Sequence, residues 1–370
     1  MMEHQLAKAK KFIIAGGGTG GHIFPAIAIA NALKKKLPDA VFLFIGAKGK
    51  MEMEKVPQAG YDIKGITIAG YNRSSLIKNI GLPVKLVKSF IQVSRIVNEF
   101  APDAVIGVGG YSSFPVLRYA QSKGISTFIH ESNSFAGKSN MWLAKKAKKI
   151  FTVSEGMEKF FPSSKIVVTG NPVRKSIVNN NIGREAALDF FGLDRSRITV
   201  LCIGGSLGAK SINEAIDEGL DLILDKNLQV IWQTGKLYLD KALLRSKDKK
   251  GVYVTDFITD MNYGYAAADI VISRSGAMSI AELCIASKPV IFVPYPFAAE
   301  NHQTVNAQNL VDKNAGIMIE DKDTKVKLVD GLISLAADDI KLKELAHNIN
   351  KLGVIDADEI IANEILNEIG

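Results

Sequence analysis

Short runs rich in Val, Ile, Leu and Phe punctuate the first half of the chain, at residues 12–15, 41–45, 63–68, 104–108, 127–129, 150–153 and 166–168. Runs without polar alternation belong to strands buried on both faces, as in a parallel sheet covered by helices. Between them, residues 23–37, 83–100, 115–123 and 140–146 read as helices. Three carry proline at or near the first turn (Pro25, Pro83, Pro115), where its missing N–H does no harm. This βα alternation predicts a parallel sheet with helices on both faces. Gly170-Asn171-Pro172 breaks the pattern, the asparagine-rich 179–181 follows, and a domain junction is expected there. Beyond it the pattern restarts. Apolar strands fall at 198–203, 229–233, 252–254, 270–273 and 290–293, helices at 209–224 and 277–286, and an amphipathic helical tail runs from Lys325. The expected fold is α/β: two Rossmann-like parallel-sheet domains, residues 1–170 and 171–345, facing across a cleft.

Each half opens with a strand, a glycine turn and a helix. Ile13 to Ala26 reads IIAGGGTGGHIFPA, and in the second half Gly204-Gly205-Ser206-Leu207-Gly208 leads into the helix. Such a turn leaves the first helical N–H groups aimed above the strand end, where they and the helix dipole attract anions, phosphate above all. Gly16, Gly18 and Gly21 also satisfy G-x-G-x-x-G. A dinucleotide enzyme would carry an acid at the end of the second strand to hold a ribose. Here that strand ends Ile45-Gly46-Ala47-Lys48, so only the 2′-phosphate of NADP would suit it. Neither glycine turn continues into the Lys-Ser or Lys-Thr of a P-loop.

The 370 residues suffice for two domains, and a hydrophobic content of 47% with mean hydropathy +0.11 supports large cores. A net charge of +8 favours anionic partners: phosphorylated substrates, an anionic membrane face or nucleic acid. Cys202 and Cys284 lie in apolar segments and read as buried thiols. No apolar run approaches the ~18 residues that span a bilayer, and no signal-peptide pattern opens the chain. A soluble, cytoplasmic protein is expected.

His22 is a titratable group set at the first anion site. A helix N-terminus disfavours the imidazolium, so a neutral ring there can act as general base on an acceptor hydroxyl. The bland alternative is a ring that caps the helix and bonds to backbone. His130-Glu131-Ser132-Asn133 ends another strand with four polar residues. Glu131 there could orient or charge-balance a base, and Asn133 could bond sugar or amide groups. Gly109-Gly110-Tyr111-Ser112 is a further turn of the same kind. In the second half Glu282 could accept from both hydroxyls of a ribose, while Ser206 and Arg174 suit a diphosphate. His302-Gln303 begins another helix at the same rim. Asp321-Lys322-Asp323 and Asp356-Ala357-Asp358 match the letters of an Asp-x-Asp metal site but read as surface acids, and no metal site is expected.

GGGTGGHIFPA, GVGGYSS, HESNSFAGKSN, TGNPVR, IGGSLGA, RSGAMSIAEL and ENHQTVNA follow one another over nearly the whole chain. In these motifs the sequence resembles the MurG family of glycosyltransferase family 28, bacterial enzymes that add N-acetylglucosamine to the lipid-linked muramyl-pentapeptide of peptidoglycan synthesis. The resemblance implies a GT-B fold, with residues 1–170 binding acceptor and membrane, 171–345 binding UDP-GlcNAc, and helices in 346–370 returning to the first domain. It implies metal-independent, cofactor-free, inverting transfer from UDP-GlcNAc to the 4-hydroxyl of the muramyl sugar in lipid I, giving lipid II. His22 would be the base, with Glu131 and Tyr111 near the acceptor. Thr19, Gly20, Gly21, Asn133 and Gln303 would border the donor. Ile258 would meet the uracil largely through its backbone, Glu282 the ribose, and Ser206 with Arg174 the diphosphate. The remaining donor contacts would come from Ala277, Met278, Ser279, Ile280 and Ala281. Ser132 and Leu207 stand where the family commonly has glutamine. Alternatives are another GT-B UDP-sugar enzyme, either a UDP-GlcNAc 2-epimerase or a diacylglycerol glycosyltransferase, and a non-catalytic nucleotide-sugar-binding scaffold.

The stretch 73–97 reads RSSLIKNIGLPVKLVKSFIQVSRIV. After Pro83, Leu86, Phe90, Val93 and Val97 share one helical face and are expected in the core. Upstream, Leu76, Ile77, Ile80 and Leu82 are interleaved with Arg73, Lys78 and Lys85, a pattern suited to an anionic bilayer. Peripheral attachment to the inner face of the cell membrane is expected, with other cell-wall synthesis proteins as further partners and no nucleic acid.

Overall fold

The computed structural model describes residues 9–70, 81–205 and 207–370. The chain forms two compact units, one running to Val173 and taking in Asp356–Gly370, the other Arg174–Ile355.

In the first unit β1 (Lys11–Ala15), β2 (Val41–Ala47), β3 (Asp62–Ile66), β4 (Ala104–Gly107), β5 (Ser126–Glu131), β6 (Lys149–Thr152) and β7 (Ile166–Val168) make one parallel sheet in the order β3-β2-β1-β4-β5-β6-β7. Helices α1 (Gly20–Lys36), α2 (Glu52–Gln58), α3 (Leu82–Phe100), α4 (Ser113–Ser122) and α5 (Lys138–Ala144) connect the strands. Phe12 and Ile14 enter the core that α1 covers, while Ile13 and Ala15 enter the core under α3, α4 and α5. Burial on both faces is why β1, β2 and β4 read as apolar runs. The strand order reverses at β1, which pairs with β2 on one side and β4 on the other. In open parallel sheets the ligand crevice opens at such a reversal, outside the carboxyl ends of the strands. The turns after β1 and β4 meet there.

The second unit repeats the plan. β8 (Ile198–Ile203), β9 (Leu228–Gln233), β10 (Val252–Thr255), β11 (Ile270–Ser273), β12 (Val290–Phe292) and β13 (Ile317–Met318) are parallel in the order β10-β9-β8-β11-β12-β13. Its helices are α6 (Lys175–Val178), α7 (Arg184–Phe191), α8 (Lys210–Asp225), α9 (Leu239–Ser246), α10 (Met261–Ala267), α11 (Ala277–Ala286), α12 (His302–Val311), α13 (Thr324–Ala336) and α14 (Asp339–Asn350). The reversal lies between β8 and β11, so the second glycine turn and the start of α11 are neighbours. Trp232 Nε1 donates to Asn213, whose amide donates to the Thr234 carbonyl, which locks α8 to the end of β9.

The last helix, α15 (Ala357–Ile369), buries Ile361, Ala362 and Ile365 in the core that also holds Ile29 and Leu33 of α1. The two isoleucines contribute roughly 3–6 kcal/mol of burial before the entropy of ordering is subtracted. The return to the first unit starts at Asp356 rather than at 346, because α14 packs on α11 and α13 and stays with the second unit. Residues 171–173 likewise group with the first unit.

Expectation and structure differ on α3. Val93 and Val97 are buried, but Leu86 is exposed and Phe90 half-buried. Ser89, Val93, Ile96 and Val97 make the buried face, and the first two turns of the helix stand clear of the core. Lys85 is exposed and Leu82 half-buried; Leu76, Ile77, Lys78 and Ile80 lie outside the described residues. Both cysteines are buried, and burial pushes the Cys284 thiol up to about 12.

Candidate functional site

At the reversal of the first sheet two glycine turns interlock. Gly110 has φ +82°, and a Cβ on it would stand 2.3 Å from the Gly17 carbonyl oxygen. Ser113 ties the turns together, its Oγ donating to the carbonyls of Ala15 and Gly109 at 2.7 and 2.8 Å. α1 opens here behind an extended Thr19, with no acidic residue in its first turn. His22 sits in that turn with Nδ1 3.1 Å from the Gly17 carbonyl and 3.4 Å from Thr19 Oγ1. A carbonyl only accepts, so Nδ1 carries the proton and Nε2 the lone pair. The ring lies over Gly109, where an added Cβ would come within 2.7 Å of Nε2. The backbone bond of the bland alternative is therefore present, and it sets the tautomer that a base requires. Thr19 is exposed, and Gly20 and Gly21 are half-buried beside it.

Glu131 does not reach His22. Its buried carboxylate accepts from the amides of Asn133 and Gly137 at 3.1 Å, from Asn140 Nδ2 at 2.9 Å and from Asn133 Nδ2 at 3.4 Å. It organises its own loop, Asn133 included. The neighbour of His22 is instead His130, fully buried at the end of β5. Burial pushes the His130 imidazole down to about 4, against a backbone hydrogen bond at Gly170, and charge on His22 would push it lower. Tyr111 is 57% exposed with its ring packed over Gly70, where a Cβ would overlap it. Ser132, in place of the expected glutamine, is buried and its carbonyl accepts from Asn171.

In the second unit α11 opens behind an extended Gly276, again with no acid in its first turn, and Ala277, Met278 and Ser279 form that turn, with Ile280 and Ala281 following. Glu282, one turn further, is buried. Its Oε1 accepts from Arg174 Nε at 2.9 Å and Nη2 at 2.7 Å, and its Oε2 accepts from the Tyr265 hydroxyl at 3.0 Å. Burial first, then the Glu282 charge, holds the Tyr265 phenol above its ordinary pKa, so it stays a donor. Arg174 thus lies on the expected ribose group. Ile258 is buried with its N–H donated to Gln233 Oε1 at 3.0 Å, so that amide is already taken. Gln233 in turn donates to the Gly205 carbonyl at 3.1 Å, linking this segment to the glycine turn. Gln303 accepts from the Tyr295 amide through its side chain and from Ser275 Oγ through its carbonyl. Ser206 lies outside the described residues, and Leu207 is 84% exposed.

The Asp-x-Asp letters are corrected by the fold. Asp321 accepts from Arg274 and Ser211 at 2.5 Å, and Arg274 also donates to the carbonyls of Val293 and Pro294, so this acid pins strand ends together. Asp358 is buried. Among the described residues no group of three or more His, Cys, Asp or Glu side chains converges as a metal site would. Sequence reasoning missed Tyr265 and Gln233, which lack any local motif, and α2.

Two parallel sheets, each with a glycine turn and a helix N-terminus at its reversal, are the architecture of GT-B-type glycosyltransferases. Residues 12–152 match the glycosyltransferase family 28 N-terminal domain and residues 199–360 the family's C-terminal domain. The chain belongs to glycosyltransferase family 28. It is 50% identical over 358 residues to a Phocaeicola vulgatus protein named UDP-N-acetylglucosamine--N-acetylmuramyl-(pentapeptide) pyrophosphoryl-undecaprenol N-acetylglucosamine transferase, covering 96% of this chain and 95% of that one. A protein of the same name from Parabacteroides distasonis is 50% identical, with coverages of 96% and 97%. The crystal structure of Acinetobacter baumannii MurG superposes with a TM-score of 0.78 at 28% identity, over 97% of this chain and 99% of that one.

Proposed function

We propose that this chain transfers N-acetylglucosamine from UDP-GlcNAc to the 4-hydroxyl of the muramyl sugar in undecaprenyl-diphospho-muramyl-pentapeptide, forming lipid II for peptidoglycan. The observation that carries this is the 50% identity to transferases of that name along both units. His22 is the general base: Nδ1–H is held by the Gly17 carbonyl, and Nε2 accepts the proton of the attacking hydroxyl. Attack on the face of the anomeric carbon opposite the diphosphate inverts its configuration and releases UDP. Glu282, held by Arg174 and Tyr265, takes the ribose hydroxyls. The N-terminus of α11 and the Arg174 cation meet the charge of the departing diphosphate, so this route draws on no metal.

The acceptor is a lipid, and we place the enzyme on the inner face of the cell membrane. Among the described residues no helix is long and apolar enough to cross a bilayer. Val84, Val87 and Ile91 are 62–71% exposed along one side of α3, between exposed Lys85 and Lys88. The half-exposed Trp142, with Arg118 stacked on it, continues this surface through Phe114 to Phe90. Exposed aliphatics ringed by cations, with tryptophan at the rim, suit an anionic membrane interface.

The test is UDP release from UDP-GlcNAc with and without a short-chain lipid I analogue, wild type beside His22→Ala. Acceptor-dependent release, lost by about 10²-fold or more in the variant while UDP still binds, is expected. Release from the donor alone would identify an epimerase, and UDP binding without release a scaffold.

A further inference from the structure

The first residue of α2, Glu52, is 1% exposed, and no cation pairs with it among the described residues. Its Oε2 accepts from the Gly18 amide at 2.8 Å and its Oε1 from the Ala47 amide at 2.9 Å. Two glycines make room for this side chain. A Cβ on Gly17 would stand 2.3 Å from the Glu52 carboxyl carbon, and one on Gly46 would stand 2.4 Å from its Cγ. Gly46 lies within β2 and its φ is outside the left-handed region, so space for Glu52, and not backbone torsion, accounts for the missing side chain there.

The Gly18 N–H that Glu52 holds and the Gly17 carbonyl that holds His22 Nδ1 are the two ends of one peptide group. That group is planar and trans, so fixing its N–H fixes the direction of its carbonyl. An acceptor on the N–H also polarises the amide and strengthens the carbonyl as an acceptor. We propose that Glu52 is the positioning residue of the transfer reaction: through the Gly17–Gly18 peptide its carboxylate orients His22 and keeps the proton on Nδ1. It does at one remove what a carboxylate bonded directly to a catalytic histidine does. The inference rests on the reading of His22 as the base, and it gives Glu52 the orienting role that sequence reasoning had offered to Glu131.

The test compares Glu52→Gln, His22→Ala and the double variant, with UDP-GlcNAc and the short-chain lipid I analogue. Glutamine keeps the size of the side chain but cannot accept at both ends, so one amide loses its partner. The kcat of Glu52→Gln should fall about 10- to 100-fold with both KM values changed less than about threefold. In the His22→Ala background the same change should have almost no further effect, because the group it positions is gone. Gly46→Ala, which pushes on Glu52 from β2 without touching the His22 turn, should lower kcat in the same way, and it carries the test if Glu52→Gln does not fold. Wild-type kcat in the folded Glu52→Gln and Gly46→Ala variants would overturn the proposal, as would losses that multiply with His22→Ala. If His22→Ala itself keeps the wild-type rate, the assignment of the base falls and this role for Glu52 falls with it. If instead His22→Ala is inactive and Glu52→Gln is not impaired, only the role of Glu52 is lost.

Discussion

Arg174 reaches one oxygen of Glu282 through two nitrogens, Nε at 2.9 Å and Nη2 at 2.7 Å, and Tyr265 holds the other oxygen. The carboxylate side chain is only 8% exposed, so each donor counts. A hydrogen bond to a charged group contributes about 1.5–3 kcal/mol, and a ribose recognised by Glu282 needs the carboxylate held still. Tyr265→Phe should therefore weaken UDP binding by about tenfold or more in calorimetry, with little change in kcat at saturating donor. Arg174→Lys keeps the charge but loses the two-point contact, and it should weaken UDP further. UDP affinity unchanged in both variants would remove Glu282 from the ribose.

Much of this architecture is legible in the sequence, because strands buried on both faces and turns rich in glycine are local patterns. His22, Arg174 and Glu282 stand in such patterns and could be named before the fold was known. Their partners could not. Tyr265 meets Glu282 from α10, and Gln233 meets Ile258 from β9, relationships that only the folding of the sheet creates. α2 is seven residues long with Pro57 inside it, too short and too irregular to announce itself, yet it brings Glu52 under the first glycine turn. Glu131 could be named beside Asn133, but only the fold shows its carboxylate held by Asn133 and by Gly137 and Asn140 further along the loop. The letters of Asp321 and Asp323 suggested only surface, since nothing local reveals Arg274 across the sheet.

The outer side of α3 makes a separate prediction. Val87 and Ile91 are 62% and 65% exposed, one turn apart. Burying each in a bilayer interface is worth up to about 1.5–3 kcal/mol. Val87→Asp combined with Ile91→Asp should lower binding to anionic liposomes by about 10²-fold or more in co-sedimentation. Turnover of a water-soluble acceptor analogue should change little, because α3 packs on the other core of the sheet from α1, whose first turn holds His22. Liposome binding that survives the double substitution would remove this face of α3 from the membrane.

His130 gives the first unit an acid-sensitive element whose sign follows from its burial. The folded protein holds this imidazole neutral down to about pH 4, while in the unfolded chain it titrates near the ordinary histidine value of 6.5. Above pH 6.5 both states are neutral and the group costs nothing. Between 6.5 and 4 the unfolded chain takes up a proton that the folded chain refuses, so stability falls as pH falls, by about 1.4 kcal/mol per pH unit. From pH 7 to pH 5 the loss from this residue alone should be roughly 2 kcal/mol, levelling off below pH 4. His130→Asn removes the titration. Its stability relative to wild type, from urea unfolding, should therefore improve by that amount between pH 7 and pH 5, whatever packing penalty it carries at pH 7. Wild-type and variant stabilities that run parallel across that range would mean that the buried ring finds a way to accept its proton in the folded state.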